Sequence, residues 1–306
     1  MIQLEQRIFA FDRLGDFLRN INPEDPTYDR LFETIKHAKS KNGWFSKENV
    51  LHAFAAWGQL LNKKDLTQWL LPYSFDHTAP KTVGLVLAGN IPLVGFHDVL
   101  SVLLSGNKAL IKCSSSDPLL IAFLIQKLEE FEPRFTSFVE FTKERFTDFD
   151  AVIATGSNNA ARYFEYYFSK VPNLIRSNRN GVAILDGNET QEELQALASD
   201  IVQYFGLGCR STSKIFVPKD YDLNLIFGAL YPYASLMDSA KYANNYDYNK
   251  AVYLMSLFDL LDNGFFMLKE DASYTSPVAC LHYEYYEDAQ MLEKKLIEDQ
   301  DLIQCI

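Results

Sequence analysis

The chain has 306 residues, of which 48% are hydrophobic and 23% charged, and its formal net charge is −11 at pH 7. This length suggests roughly two domains and is enough to bury a sizeable hydrophobic core. The net negative charge argues against a nucleic-acid-binding protein, which needs a basic face. The sequence also lacks the ~20 consecutive apolar residues of a membrane span and the basic, apolar and small-residue order of a signal peptide. We therefore predict a globular cytoplasmic protein.

Neither the cysteines nor the histidines show the spacing of a disulfide framework or a metal site. The cysteines are Cys113, Cys209, Cys280 and Cys305, and the histidines are His37, His52, His77, His97 and His282. No two cysteines form a Cys-x-x-Cys pair, so we interpret them as reduced thiols of a cytosolic protein. We interpret each histidine as structural and predict no bound metal.

The first 75 residues or so are predicted to be helical. Apolar residues recur at helical spacing between residues 8 and 18 and again between 50 and 61, with a proline-rich break at 22–26. Ser46 precedes the second run and is predicted to cap its helix.

After Pro80, short apolar strands alternate with helices. The first predicted strand and the tight turn that closes it occupy 82–90, and further strands are predicted at 109–112, 138–141, 151–155 and 181–186. Helices are predicted at 91–104, 119–131, 158–168 and 192–204. This alternation predicts a parallel sheet with helices on both faces. Ligands of such sheets bind beyond the carboxyl ends of the strands, where Asn90, Lys112 and the pair Gly156-Ser157 fall. Residues 220–260 are less regular, and a strand at 279–283 and a helix at 288–298 follow.

Cys209 follows two glycines at the end of the helix predicted at 192–204 and precedes an apolar strand. Glycines allow a backbone to approach a ligand closely. A thiol on such a turn, with backbone N–H groups around it, suits a nucleophile that attacks a carbonyl, because the N–H groups can stabilise the oxyanion. The alternative is a buried structural cysteine. This stretch by itself leaves both interpretations open.

Four motifs, in this order and spacing, together resemble a known family. They are Gly89-Asn90-Ile91-Pro92-Leu93, Ile111-Lys112-Cys113-Ser114-Ser115-Ser116-Asp117-Pro118, Ala154-Thr155-Gly156-Ser157 and Gly206-Leu207-Gly208-Cys209. The order is similar to that of the aldehyde dehydrogenase superfamily and, more narrowly, of the LuxC-type acyl-CoA reductases, the fatty-acyl reductases of bacterial bioluminescence. The resemblance extends from about residue 80 to 218 and, more weakly, to Tyr283.

The resemblance implies an aldehyde dehydrogenase-like α/β fold. It places the N-terminal helices and a parallel-sheet NAD(P)-binding domain in residues 1–181, and a smaller α/β catalytic domain with the cysteine in 182–306. The chain stops at Ile306 inside what resembles another strand, so we expect either a trimmed version of the catalytic domain or a C-terminally incomplete one.

The resemblance also implies roles for two catalytic residues. Cys209 is the expected nucleophile, and its N–H and the side-chain amide of Asn90 are the expected oxyanion donors. Without the resemblance, Asn90 is better explained as a turn-forming residue after Gly89.

Five further residues are expected to bind the cofactor. Lys112 matches the family lysine that contacts the adenosine ribose, and Ser115 stands where NAD-preferring relatives often have a glutamate. A serine there removes the repulsion of a 2′-phosphate, which favours NADPH and leaves NADH open. Thr155, Gly156 and Ser157 match the family's turn at a helix start, where N–H groups attract phosphate; the alternative for Ser157 is an ordinary helix cap.

Two departures from the family pattern affect the expected chemistry. Hydrolytic relatives have a glutamate that activates water, and counting back from Cys209 puts its position near Ile175, where 174–179 contain no carboxylate. An acyl-thioester without that base should be kept for reduction or exchange. The second departure is Ser273, which replaces the glutamate that holds the nicotinamide ribose. Three arginines have alternative interpretations: they neutralise CoA phosphates, favour the cysteine thiolate, or are solvated at the surface. They are Arg176, Arg179 and Arg210.

We therefore expect an enzyme that uses NADPH, or NADH, to reduce an acyl-CoA or acyl-protein thioester to an aldehyde through an acyl-cysteine. The partners expected with it are a second copy of the chain or an acyl-transfer protein. Two alternatives remain: an aldehyde dehydrogenase that oxidises an aldehyde, and an inactive relative that binds acyl chains or a partner.

Overall fold

The computed structural model describes residues 2–75 and 79–306, so the prediction for His77 lies outside the described residues. The chain forms two compact units, Met1–Ser177 and Asn178–Ile306. The domain boundary expected after residue 181, and the roles of the two domains, remain predictions.

Unit 1 begins with helices, as the apolar spacing predicts. Their bounds are α1 Leu4–Arg19, α2 Asp29–Lys41, α3 Lys47–Leu60 and α4 Lys63–Leu70. Ser46 caps α3, since its side chain accepts the Asn49 N–H at 3.1 Å. Such a cap stabilises a helix by ~1 kcal/mol. Phe11, Leu14 and Phe54 are fully buried, and the Phe11 ring lies 5.8 Å from the Phe135 ring, so these helices pack against the rest of unit 1.

The remainder of unit 1 alternates strands and helices. The elements are β1 Thr82–Val86, α5 Phe96–Leu104, β2 Lys108–Lys112, α6 Leu120–Phe131, β3 Val139–Phe141, β4 Ala151–Thr155, α7 Asn158–Phe168 and β5 Asn173–Arg176. The strands form one sheet in the order β3-β2-β1-β4-β5, and every paired neighbour is parallel. The predicted parallel sheet is confirmed.

In unit 1, one local prediction was wrong and one strand was missed. The helix predicted at 91–104 begins only at Phe96, because Leu93 has a left-handed backbone with φ 59° and residues before Gly95 form turns. Strand β5 was not predicted. It lies at the sheet edge with Asn173 and Leu174 exposed, so its sequence lacks the apolar run of a buried strand.

Unit 2 is a second α/β layer structure. Its elements are β6 Asn180–Ile184, α8 Gln191–Val202, β7 Thr212–Pro218, α9 Asn224–Leu230, α10 Ala240–Met255, β8 Leu261–Asp262, β9 Met267–Glu270, β10 Cys280–Tyr286, α11 Ala289–Glu298 and β11 Ile303–Cys305. The sheet order is β11-β6-β7-β10-β9-β8, antiparallel at β8–β9 and parallel elsewhere.

Two apolar clusters cover the two faces of this sheet. One packs α8 and α9 against Ile215 and Val217 of β7, and the other packs α11 against Val182 and Phe216. Each fully buried aliphatic side chain contributes roughly 1.5–3 kcal/mol relative to exposure. Among the helices of the described residues, none is long and apolar enough to cross a membrane.

Candidate active site

The predicted cofactor residues and Asn90 lie at one edge of the unit 1 sheet. Asn90 is an exposed bend residue shortly after β1, Lys112 ends β2, and Thr155 ends β4. Because β1 pairs in parallel with both β2 and β4, the carboxyl ends of the three strands are neighbours. The structure therefore brings these residues together at the edge where parallel sheets bind ligands.

A buried carboxylate joins the turns that follow β1 and β2. Asp117 is 2% exposed, and its Oδ2 accepts the backbone N–H of Leu93 at 3.3 Å, while Oδ1 accepts that of Leu120 at 3.2 Å. Burial raises the pKa of Asp117 to about 6, although these N–H groups oppose the rise. Sequence reasoning missed this residue. Its spacing to Leu120 is that of a helix cap, but nothing local indicates the bond to Leu93.

Gly89 lets the same two turns approach each other. A Cβ placed on Gly89 would lie 2.6 Å from the Ser114 Cβ and 3.1 Å from the Asp117 backbone nitrogen. Any larger residue would therefore push the turn that carries Asn90 away from the turn after β2. Glycine is required here by space, since its φ is not in the left-handed region.

Lys112 and Ser115 are differently placed on the turn after β2. The Lys112 Nζ donates to the Glu144 carbonyl at 3.2 Å. An ammonium has three N–H donors, so this bond alone does not occupy it. Ser115 is an exposed turn residue. Both positions are compatible with a nucleotide at this edge, and their roles stay predictions.

The Thr155-Gly156-Ser157 segment leads from β4 into α7. The Gly156 N–H donates to the Arg176 carbonyl at 3.1 Å, which continues the β4–β5 ladder. The Ser157 side chain accepts the Ala160 N–H at 3.3 Å, so it caps α7. The capping bond neither supports nor excludes a role for Ser157 in cofactor binding.

Arg176 forms an ion pair that the sequence did not predict. Its Nη1 lies 2.6 Å from the Asp98 Oδ1, and the Asp98 side chain is 6% exposed. Burial works to raise the pKa of Asp98, but the nearby His97 ring and the hydrogen bond from Arg176 hold it below its usual value. Arg179 and Arg210, in contrast, are exposed.

In unit 2, a strained turn carries Cys209 from α8 to β7. The helix predicted to run to residue 204 ends at Val202, because Tyr204 and Phe205 adopt positive φ values of 53° and 59°. Backbone in this region costs on the order of 1 kcal/mol or more per non-glycine residue. Phe205 is buried and packs near the Tyr242 ring, with centroids 6.0 Å apart. Core packing thus holds the strained segment in place.

Ser211 closes the turn around Cys209. Its N–H donates to the Gly208 carbonyl at 3.0 Å, and its Oγ donates to the Gln203 carbonyl at 3.3 Å. Cys209 itself is partly buried. A fixed, partly exposed thiol on a closed turn is the arrangement expected of a nucleophile rather than of a core cysteine.

The start of β6 lies against the same turn. A Cβ on Gly181 would come within 2.6 Å of the Ser211 carbonyl oxygen and 2.8 Å of the Arg210 carbonyl oxygen. Only glycine permits this approach without displacing backbone. The Cys209 turn is therefore supported from α8, β6 and β7.

Buried side chains hold the loop that contains Ser273. Lys214 of β7, His282 of β10 and Lys269 of β9 are paired across the sheet, and each is under 5% exposed. Lys214 donates to the Asp271 carbonyl and, at 3.0 Å, to the Glu284 carboxylate. Sequence reasoning missed this row.

The other two members of the row bind the same loop. His282 Nδ1 lies 3.0 Å from the Ser273 carbonyl, and Lys269 pairs with the Asp271 carboxylate. Burial lowers the pKa of His282, in keeping with a neutral ring that donates to this carbonyl. The sequence feature that could have revealed this row is the presence of a lysine in each of two otherwise apolar strands.

The remaining thiols differ in their surroundings. Burial raises the pKa of Cys280 to about 12 and that of Cys113 to about 11, so both stay protonated at neutral pH. No group of three or more His, Cys, Asp or Glu side chains in the described part of the chain is arranged to hold a metal ion.

The family model described as "Acyl-CoA reductase (LuxC)" matches residues 23–226. No curated protein matches the chain.

Solved aldehyde dehydrogenases are similar in fold. KauB of Pseudomonas aeruginosa is 13% identical with a TM-score of 0.65, over 99% of this chain and 70% of that one. Indole-3-acetaldehyde dehydrogenase AldA of P. syringae, in complex with NAD+ and IAA, is 14% identical with a TM-score of 0.67, and the match covers 99% of this chain and 70% of AldA. An aldehyde dehydrogenase of Bacillus cereus, in an NAD+ complex, is 14% identical with a TM-score of 0.67, over 96% and 69%. The predicted aldehyde dehydrogenase-like fold is confirmed.

Proposed function

Since the chain belongs to the LuxC family of acyl-CoA reductases, we propose that it reduces an acyl thioester to an aldehyde with a nicotinamide cofactor. The observation that carries the proposal is the position of Cys209. This thiol lies inside the segment that matches the family, on a turn closed by Ser211 and partly open to solvent.

In the first proposed step, the Cys209 thiolate attacks the carbonyl carbon of the acyl thioester. A carbon–sulfur bond forms to Cys209, the bond to the CoA sulfur breaks, and CoA leaves as a thiolate that takes up a proton. The backbone N–H of Cys209 and the side-chain amide of Asn90 are the proposed donors to the oxyanion. The role of Asn90 rests on its place in the family motif and on the turn that Asp117 and Gly89 hold in position.

The proposed cofactor residues are Lys112, Ser115, Thr155, Gly156 and Ser157. They fit a dinucleotide in chemistry, because an ammonium, a hydroxyl and the first turn of a helix all favour phosphate or ribose oxygens. When bound, a reduced nicotinamide supplies hydride to the acyl carbon. We favour NADPH, since no carboxylate stands at Ser115 to repel a 2′-phosphate.

In the second step, the acyl carbon gains hydride and its bond to the Cys209 sulfur breaks. The aldehyde leaves, and the sulfur regains a proton. The absence of a carboxylate in 174–179 favours this outcome over hydrolysis, because no side chain there can activate water. The acyl donor we propose is an acyl-CoA or an acyl-protein thioester, and the proposed partners are a second copy of the chain or an acyl-transfer protein.

The test is incubation with a radiolabelled acyl-CoA, with and without NADPH. We expect label on Cys209 without NADPH, and aldehyde with it. Cys209→Ser should abolish both, whereas the control Cys280→Ser should change neither in soluble, folded protein. Label on another cysteine would overturn the mechanism. Aldehyde-dependent reduction of NADP+ without acyl-CoA reduction would favour an oxidising aldehyde dehydrogenase, and no labelling at all would favour an inactive relative.

A further inference from the structure

A second thiol lies beside the Cys209 turn. Strand β11 pairs with β6, and this register sets Cys305 opposite Gly181. The Cys305 Sγ lies 4.0 Å from the carbonyl oxygen of Arg210, the residue that follows Cys209. A Cβ on Gly181 would lie within 2.8 Å of the Arg210 and Ser211 carbonyl oxygens, so β6 passes close to the Cys209 turn at the residue that pairs with Cys305.

These two thiols also differ from the other two cysteines. Cys209 and Cys305 are both partly exposed, whereas Cys280 is buried and Cys113 belongs to the other unit. Cys209 is preceded by Gly206 and Gly208, and Gly206 has a φ of 72°. The proposed disulfide needs the Cα atoms of Cys209 and Cys305 roughly 4.4–6.8 Å apart, and the glycines of the Cys209 turn give its backbone the freedom to reach that separation.

We propose that Cys209 and Cys305 form a reversible disulfide when a hydroperoxide oxidises Cys209. The Cys209 thiolate attacks one peroxide oxygen, the O–O bond breaks, hydroxide or an alkoxide leaves, and Cys209 becomes a sulfenic acid. The Cys305 thiol then attacks the Cys209 sulfur, the S–S bond forms, the S–O bond breaks, and water leaves. Two thiols are oxidised and one hydroperoxide is reduced; a reducing thiol reverses the change.

The surroundings of Cys305 make it the less reactive of the two thiols toward peroxide, so Cys209 is oxidised first. Burial raises the pKa of Cys305, as does the charge on Cys209, and the nearby guanidinium of Arg210 only partly opposes this. A thiol that stays protonated at neutral pH reacts slowly with peroxide itself. The consequence of the pairing is that Cys209 is protected from further, irreversible oxidation while it is inactive. The inference rests on the proposed function only for the statement that the oxidised protein is inactive.

The experiment treats the intact chain, at low protein concentration, with hydrogen peroxide and maps its peptides by mass spectrometry. We expect a peptide pair joined through Cys209 and Cys305, which dithiothreitol separates with recovery of activity. In Cys305→Ser, basal activity should be unchanged, the joined pair should be absent, and Cys209 should reach the sulfinic acid, with no recovery. Cys113→Ser should form the joined pair as the wild type does.

Three results would overturn the inference. They are equal rates of sulfinic acid formation in the wild type and Cys305→Ser, a disulfide that uses Cys113 or Cys280, and a disulfide between two chains only. The wild-type peptide map stands even if the variant fails to fold. The peptide map measures mass rather than activity. A negative acyl-labelling test would therefore not affect the interpretation of the disulfide, and a missing disulfide would not affect the interpretation of the acyl-labelling test.

Discussion

The carboxylate of Asp117 accepts the backbone N–H of Leu93 at 3.3 Å and so joins the turn that carries Asn90 to the turn after β2. Asp117 is almost fully buried, and its other oxygen holds the first turn of α6. One ionisable side chain therefore fixes the relative position of two turns at the proposed ligand-binding edge of unit 1.

The first prediction concerns the pH dependence of stability. Burial raises the pKa of Asp117 from 3.8 to about 6 in the folded chain, so the folded state holds a proton that the unfolded state has lost between about pH 4 and 6. The contribution of Asp117 to the free energy of unfolding should therefore fall as pH rises through this window, by up to about 3 kcal/mol, and level off above it.

Asp117→Asn should lack this pH-dependent step, since an amide does not titrate. The measurement is urea unfolding of the wild type and the variant at several values from pH 4 to 7. Asp150→Asn, at an exposed carboxylate, is the control and should leave the step in place. Parallel pH profiles for the wild type and Asp117→Asn would contradict the assignment.

The second prediction concerns Gly89. Gly89→Ala places a methyl group 2.6 Å from the Ser114 Cβ, so it should destabilise the protein by ~1–3 kcal/mol. The displaced turn should also slow acylation by up to about 10²-fold, through Asn90. The control is Gly228→Ala in α9, where a Cβ meets nothing within 4 Å and should stabilise by ~0.5–1 kcal/mol. Equal effects of the two substitutions on the free energy of unfolding would show that the turns after β1 and β2 can move apart at little cost.

The third prediction concerns cofactor choice. Ser115→Glu should weaken NADPH binding by about 1–3 kcal/mol relative to NADH, because a carboxylate would face the 2′-phosphate. The dissociation constants of both cofactors, measured by fluorescence titration, give the answer. Ser116→Glu introduces the same charge at the next exposed position of the turn and should shift the preference less. An unchanged ratio of affinities would remove Ser115 from the ribose site.

The fourth prediction concerns the fate of the acyl-enzyme. Without cofactor, it should hydrolyse slowly but pass its acyl group quickly to added CoA. Ile175→Glu should restore hydrolysis, since general-base catalysis contributes about 10²–10⁴-fold. Leu174→Glu is the matched control, because successive residues of β5 point to opposite faces of the sheet. Rapid release of free acid by the wild type without NADPH would reveal another base and replace the reductase with a hydrolytic enzyme.

The fifth prediction concerns the buried lysine of β7. Lys214→Met removes the donor to the Asp271 carbonyl and one of the two lysines that pair with Glu284. Losing the charged donor to these partly buried acceptors costs about 1–3 kcal/mol, so the variant should unfold at lower denaturant concentration. Lys219→Met breaks an exposed pair with Glu287 and should change stability by no more than about 1 kcal/mol. Similar losses in the two variants would mean that the Lys214 network contributes little.

The sequence by itself determined what depends on local pattern. Short apolar runs closed by turn residues predicted β1, β2 and β4, helical spacing predicted the N-terminal helices, and Ser46 was recognised as a cap from the residues beside it. Because parallel strands end at one edge, their order along the chain was enough to predict which residues would share that edge.

Only the tertiary structure decided the contacts between segments distant in the chain. Asp117 and Leu93 are 24 residues apart, and Cys305 and Arg210 are 95 apart. No hydrophobic period encodes such pairs, because they form only once strand order has set which turns and edges are neighbours. Contacts between distant segments also explain why α8 ends earlier and α5 begins later than predicted. Burial of Phe205 and the hydrogen bond from the Leu93 N–H to Asp117 outweigh the local preference for helix.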